Sequence, residues 1–300
     1  MINKARVRVV IVALLWGYDS VTSKLFDALR RSANRGVSIH VVIDGVYSRA
    51  YYTGRRSYYR RAIQSLDQLA QVGVTVNILG SSSVNPLRGR CHAKFAVVDD
   101  YVFGFGGVNI ARKATQNVDY MIGKSYVDTA DSMQQFAEDI ATGAPVVDKV
   151  ITVDNMTSVL LDGGVQGSSV IYNEACRLAS MARRVIYVSQ FAPTGRLAGL
   201  LHRTDAVLYF NRSLQSAPPV ALMLTADKMI GGTRTAYRRE SYLHAKFMLV
   251  ELGNGSRVVL SGSHNFKMQG VRYGTVEIAI RSSDVQLYTL IENFYRAHIA

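Results

Sequence analysis

Apolar runs and amphipathic stretches alternate along the chain in a regular order. Residues 7–16 form an almost unbroken apolar run and read as a strand. Residues 19–35 follow a helical period, with Val21, Leu25, Ala28, Leu29 and Ala33 on one face, and Gly36 ends the stretch. Residues 37–43 are nearly all apolar, as a strand buried on both faces would be. A second helical stretch over 56–72 closes at Gly73 and leads to a third strand over 74–79. Residues 80–86 read as a loop, and a closing helix is expected over 128–142. Helices are also expected over 173–182, 194–202 and 284–297, with strands over 184–190, 206–211, 220–225 and 276–280. Strands alternating with helices predict an α/β fold with parallel or mixed sheets and right-handed crossovers.

Within this order one sentence is written twice. His92 and Lys94 are two residues apart, so an extended chain turns both side chains to one face. Asp99 follows at the end of an apolar run, and Gly106, Gly107 and Asn109 close the next one. His244, Lys246, Glu251, Gly262, Ser263 and Asn265 repeat the series with four extra residues around Asn254-Gly255-Ser256-Arg257. Asn-Gly is a natural hairpin tip, so the insertion predicts a longer turn. The repeat makes the chain an internal duplication of about 150 residues per unit, with halves expected at 1–146 and 147–300. Halves of this kind pack about a pseudo-two-fold axis. Such an axis would bring His92 and His244 face to face in one cleft.

The duplicated pattern H-x-K-x4-D-x6-G-G/S-x-N resembles the signature of the phospholipase D superfamily, with Glu251 replacing the acid in the second copy. Ile43-Asp-Gly-Val-Tyr-Ser48, Gly106-Gly-Val-Asn-Ile110 with Asp119, and Ser189-Gln-Phe-Ala-Pro193 are most similar to bacterial cardiolipin synthases and related phosphatidyltransferases. The resemblance implies two mixed or parallel sheets flanked by helices, with one active site between the halves. It also implies a covalent phosphohistidine, with His92 more often the nucleophile. In the family a carboxylate after the G-x-N turn holds each imidazole; Asp119 and Glu277 stand at those positions.

The residues themselves permit this chemistry. A neutral imidazole attacks phosphorus and a protonated one serves the leaving oxygen, and histidine titrates near neutrality. Lys94 and Lys246 supply charge for the non-bridging oxygens, Asn109 and Asn265 supply amide donors, and Gly107 and Ser263 are expected at the phosphate. Asp119 and Glu277 sit inside apolar runs and need partners. Asp99 and Glu251 are expected to tie down the motif's own turns rather than touch substrate. His264 is expected to line the site, and His40 to pack in its strand. No His, Cys, Asp or Glu cluster has ligand spacing, so neither metal nor cofactor is expected. Cys91 and Cys176 set up no disulfide framework.

Composition narrows the partners. The 300 residues are 48% hydrophobic and 19% charged, which is globular rather than disordered. The apolar run after Lys4 and Arg6 follows basic residues, as in a signal peptide, yet is too short to span a bilayer and reads as a buried first strand. No stretch reaches spanning length, so a cytoplasmic or peripheral inner-face location is expected. The net charge of +13 implies an anionic partner, either a lipid surface or a phosphate backbone. Residues 47–61 hold five tyrosines and five arginines. Arg55, Arg56, Arg60 and Arg61 suit an anionic membrane, a single-stranded nucleic acid, or simply a solvated helix start. Three functions follow: a phosphatidyltransferase acting on phospholipids, a nuclease or nucleic-acid phosphodiesterase, and a non-catalytic basic binding module, against which the two intact triads argue.

Overall fold

The apolar runs of the first half become the strands of one sheet. The computed structural model describes residues 1–52, 54–80, 90–125, 127–212 and 234–300. In chain order the first half contains β1 (Arg8–Ala13), α1 (Ser23–Ala33), β2 (Ser38–Asp44), α2 (Gly45–Tyr51), α3 (Arg56–Gln71) and β3 (Thr75–Leu79). β4 (Phe95–Val98), β5 (Tyr101–Gly104), β6 (Ile122–Ser125) and α4 (Val127–Ala141) complete it. The strands lie in the order β3-β2-β1-β4-β5-β6. β1, β2 and β3 run parallel; β4, β5 and β6 join antiparallel.

The second half holds β7 (Lys149–Thr152), β8 (Thr157–Gly163), α5 (Val170–Met181), β9 (Ala182–Val188), α6 (Arg196–Leu201) and β10 (Asp205–Tyr209). β11 (Phe247–Leu252), β12 (Arg257–Gly262), α7 (Met268–Tyr273), β13 (Val276–Ser282) and α8 (Val285–His298) follow. Their sheet has the order β10-β9-β11-β12-β13-β8-β7, with only β9 and β10 parallel. The series β2-β1-β4-β5-β6 therefore recurs as β10-β9-β11-β12-β13. This is the duplicated α/β architecture with two mixed sheets that the sequence leads one to expect. Among the described residues no helix is long and apolar enough to cross a membrane.

The halves share a core. Met133, Phe136 and Ile140 of α4 recur at helical spacing and are fully buried. They pack with Phe95 and Val97 of the first sheet and with Leu161 and Ile278 of the second. Burying each such side chain contributes about 1.5–3 kcal/mol, so α4 fastens one sheet to the other. Val118 and Tyr120 extend into the cluster beneath α8, and the Tyr120 hydroxyl meets Ser261 Oγ at 2.7 Å.

Several elements depart from the sequence reading. α1 starts at Ser23 rather than 19, because Asp19 Oδ1 takes the N–H groups of Val21 and Thr22 while Thr22 Oγ1 takes that of Asp19. Those side-chain bonds close a turn that competes with the helix. α2 is an additional helix, capped by the Asp44 carboxylate on the Tyr47 N–H at 2.8 Å. The β7–β8 hairpin was not expected either; the reading passes from residue 145 to residue 173. His92, Lys94, His244 and Lys246 lie just ahead of β4 and β11 rather than within them. The expected strand over 220–225 and most of the loop over 80–86 fall outside the described residues.

Candidate active site

The two motif segments meet where the sheets abut. Cys91 bridges to Val276, and Leu243 bridges to Val118, both in parallel sense. Each bridge thus joins the residue before a motif histidine to the residue before an acid of the other half. The exchange is reciprocal, as a two-fold relation demands.

The consequence is a crossed pair of hydrogen bonds. His92 Nδ1 lies 3.0 and 3.1 Å from the two carboxylate oxygens of Glu277. His244 Nδ1 lies 2.7 Å from Asp119 Oδ2. A buried carboxylate accepts and does not donate, so each Nδ1 carries its proton and each Nε2 keeps a lone pair. Lys94 Nζ donates back to the carbonyl of His92 at 2.6 Å, and Lys246 Nζ donates to that of His244. Sequence reasoning names these acids but not the crossing.

Backbone clamps hold both histidines. Asp44 Oδ2 accepts the Cys91 N–H at 2.9 Å. In the other half Asn211 Oδ1 accepts the Leu243 N–H at 2.9 Å, and Asn211 Nδ2 donates to the Leu243 carbonyl at 2.7 Å. Both clamps are fully buried; Asp44 ends β2, and Asn211 lies two residues beyond β10, the equivalent strand. The sequence reading overlooks them; a polar residue closing an apolar strand beside a motif is the signal.

Gly107 and Ser263, expected at the phosphate, are hydrogen-bonded to the acids. The Gly107 N–H donates to Asp119 Oδ1 at 2.9 Å. The Ser263 hydroxyl donates to Glu277 Oε2, and its oxygen accepts the Ile278 N–H at 3.0 Å. A donor already engaged by a carboxylate orients that acid. Asn109 is buried, and its Oδ1 has no hydrogen-bond partner among the described residues. Asn265 takes the Ser189 hydroxyl on its carbonyl at 3.2 Å.

Asp99 and Glu251 stay away from the histidines. Each stands seven residues beyond its histidine along extended chain, roughly 20 Å at strand rise. Asp99, at φ +52°, accepts the N–H groups of Arg6, Val7 and Arg8 and so anchors the start of β1 rather than its own turn. Glu251 meets Arg183 at 3.0 Å and Arg257 at 3.8 Å. The insertion forms the expected hairpin, with Gly255 at φ +84°. His264 is buried and accepts the Phe266 N–H on Nδ1 at 2.8 Å, as a lining residue does. His40 is half-buried and bonds Asn77 across β2 and β3 at 2.8 Å.

Burial governs the electrostatics. It lowers His92 and His244 from 6.5 to about 4, against the upward pull of Glu277 and Asp119. Burial likewise lowers Lys94 to about 8 and Lys246 to about 7. For Glu277 burial pushes upward, but His92, His264 and Lys94 outweigh it and hold the acid near 2. Asp119 is lowered as well: burial raises it, while His244, Lys246 and the Gly107 N–H overcome that. At neutral pH the site therefore holds two carboxylates, two amines and two uncharged imidazoles. Cys91 is buried and its thiol is pushed up to about 12, chiefly by burial and then by Asp44, which suits a packing residue. Among the described residues no cluster of three or more His, Cys, Asp or Glu could hold a metal.

α2 and the start of α3 carry the aromatic and basic side chains singled out in the sequence. Tyr47, Tyr51 and Tyr58 are exposed, as are Arg55, Arg56, Arg60 and Arg61. The Arg61 guanidinium lies 4.5 Å over the Tyr58 ring. Burial, then Asp44 and Glu277, raise the Tyr47 phenol, so this tyrosine senses the site's charges.

Residues 1–141 match the family model described as "Cardiolipin synthase, PLD-like domain". That match spans a little under half of the chain and takes in the first of the two motifs. The superfamily resemblance carried by the two motifs stands. The whole chain superposes on phosphatidylserine synthase of Haemophilus influenzae Rd KW20, with TM-score 0.69, 16% identity and 83% of that chain covered. Polyphosphate kinase of Porphyromonas gingivalis matches over 97% of the chain and 45% of its own length, with TM-score 0.63 and 12% identity. At these identities the likeness carries the fold alone. No curated protein matches the chain.

Proposed function

We propose that the protein is a phosphatidyltransferase acting on phospholipids, with hydrolysis as the related reaction when water is the acceptor. The observation that carries this reading is the crossed arrangement of two neutral imidazoles, each with Nδ1 committed to a buried carboxylate. That arrangement leaves two Nε2 lone pairs beside two amines, which is what displacement at a phosphodiester requires.

In the first step His92 Nε2 attacks phosphorus. The bond to the leaving alcohol breaks, and that oxygen takes a proton from His244 Nε2. In the second step an alcohol or water gives its proton to His244 and attacks phosphorus, releasing His92. The charge count explains how His244 becomes an acid. A bound phosphodiester adds one negative charge, which raises the proton affinity of the amines and imidazoles around it, His244 included. Lys94 and Lys246 meet the non-bridging oxygens, and the side-chain amide nitrogens of Asn109 and Asn265 complete the donor set. Gly107 and Ser263 act through Asp119 and Glu277. Lipid is favoured by the family description matched over the first half and by the exposed tyrosines and arginines of α2 and α3, which suit an anionic inner-leaflet surface.

The test incubates the purified chain with phosphatidylglycerol vesicles and separates the lipid products by mass, with single-stranded DNA digestion in parallel. New phospholipid with intact DNA is the expected result; the converse moves the substrate to nucleic acid. Quenching with denaturant at alkaline pH, where the phosphorus–nitrogen bond survives, should trap label from a labelled phosphodiester on His92, and His244→Asn should accumulate it when the leaving group is good. Label on the His244 peptide would exchange the two roles.

A further inference from the structure

A second acid lies beside one of the two histidine arms and not the other. Asp162 of β8 is the register partner of Glu277 in the β13–β8 ladder. Directly opposed residues of an antiparallel pair project to the same face with their Cβ atoms roughly 5 Å apart. Both are buried, Asp162 at 2% and Glu277 at 4% exposure. Two buried carboxyls so placed do not both ionise; one keeps its proton.

Their partners decide which. Glu277 holds the His92 Nδ1–H and the Ser263 hydroxyl, with Lys94 and His264 nearby. Asp162 accepts the Gly164 N–H at 3.1 Å and a bond from Ser169 at the start of α5. The charged groups that face it are acids: Glu277 from β13 and Asp148 from the segment before β7. Asp148 is itself bonded to the N–H groups of Gly163 and Val170 at 2.9 and 2.8 Å. Burial, aided by those two acids, raises Asp162 to about 8. The other arm lacks this neighbour. β6, which follows Asp119, is the edge of its sheet among the described residues.

We infer that Asp162 is a positioning residue, kept neutral at working pH, that fixes Glu277 as the charged partner of His92 and makes the His92 arm sensitive to alkali where the His244 arm is not. When Asp162 loses its proton, a second negative charge stands beside Glu277. That charge raises the proton affinity of His92 and repels an anionic substrate. The inference deepens the proposed reaction and rests on it for its kinetic consequence, but its protonation state is read without any substrate.

The test compares the full chain with Asp162→Asn from about pH 6 to about pH 10, using 15N-histidine resonances and the infrared band of protonated carboxyls. The wild-type-minus-variant difference at His92 should show an inflection near 8, the value toward which Asp162 is raised, and the His244 difference should show none. The protonated-carboxyl band should fade over the same interval in the wild type and be missing in the variant. In kinetics, KM of the wild type should rise above that of the variant as the solution becomes alkaline. If the variant does not fold, 13C-aspartate labelling of the wild type reads the same proton directly. A wild type with no protonated aspartate near neutral pH, or histidines that respond alike, would overturn the inference. Normal spectra with no turnover on any phosphodiester would instead overturn the proposed function.

Discussion

Replacing Gly107 by alanine tests the site at its tightest point. A Cβ there would stand 2.6 Å from the His244 carbonyl, 2.7 Å from Asp119 Oδ2 and 2.7 Å from Lys246 Nζ. Ordinary contact begins at 3.4 Å, so all three neighbours must yield by about 0.7–0.8 Å, and none is the free end of a flexible side chain. The methyl group therefore displaces His244, its acid and its lysine together. Overpacking of this kind costs about 1–3 kcal/mol of stability. A displacement approaching 1 Å at a reacting group costs on the order of 100-fold in rate. Gly107→Ala should thus fold with a lowered Tm and turn over about 100-fold more slowly, the loss falling on kcat. Gly106→Ala is the contrast, since its Cβ would collide with the Tyr120 carbonyl and should prevent folding. Circular dichroism, thermal melts and initial rates on the same samples decide the matter. Wild-type kcat in a folded Gly107→Ala protein would refute the packing argument and return Gly107 to a role at the phosphate.

The protein should lose stability in mild acid. His92 and His244 are held near 4 in the folded chain against 6.5 unfolded, so their contribution is intact above 6.5 and lost as pH falls toward 4, up to about 3 kcal/mol for each; a flat Tm across that interval would contradict their burial as neutral groups. Activity should persist in excess chelator, because Lys94, Lys246 and the imidazoles supply the charge the reaction needs; a loss restored by magnesium or zinc would mean the site is misread. Changing Arg55, Arg56, Arg60 and Arg61 to serine should weaken cosedimentation with anionic vesicles by up to about a thousandfold at low salt, at ~1 kcal/mol per cation. Equal binding by both proteins would return the patch to a solvated face.

The candidate site residues were legible because the motifs depend on residue identity at fixed short spacing. His92-x-Lys94 and His244-x-Lys246 can be read without knowing what lies across the cleft, and the duplication reveals the two-sheet architecture. Contacts made across long separations were not legible. That His92 is held by Glu277, 185 residues away, follows from how the sheets abut, and no local pattern records it. The clamps Asp44 and Asn211 look like ordinary strand ends until the fold places Cys91 and Leu243 against them. The β7–β8 hairpin, and with it Asp162, escaped because Thr157-Ser-Val-Leu-Leu-Asp162 lies between stronger helical signals. Gly107 is placed at the phosphate by its motif position, and the close packing that also demands a glycine there is visible only in the fold.

Under the proposed mechanism, the crossing of the acids makes the reaction conditional on both halves being present. A ribosome that has released only the first half has made His92, Lys94 and Asn109, yet the carboxylate that sets the His92 tautomer is still unsynthesised. The second half alone is equally deficient, since His244 awaits Asp119. Each half carries the other's missing part, so on the proposed mechanism a truncated or misassembled product should be silent toward phosphodiesters rather than weakly destructive. Two halves expressed as separate polypeptides should accordingly be inert singly and regain turnover only on mixing.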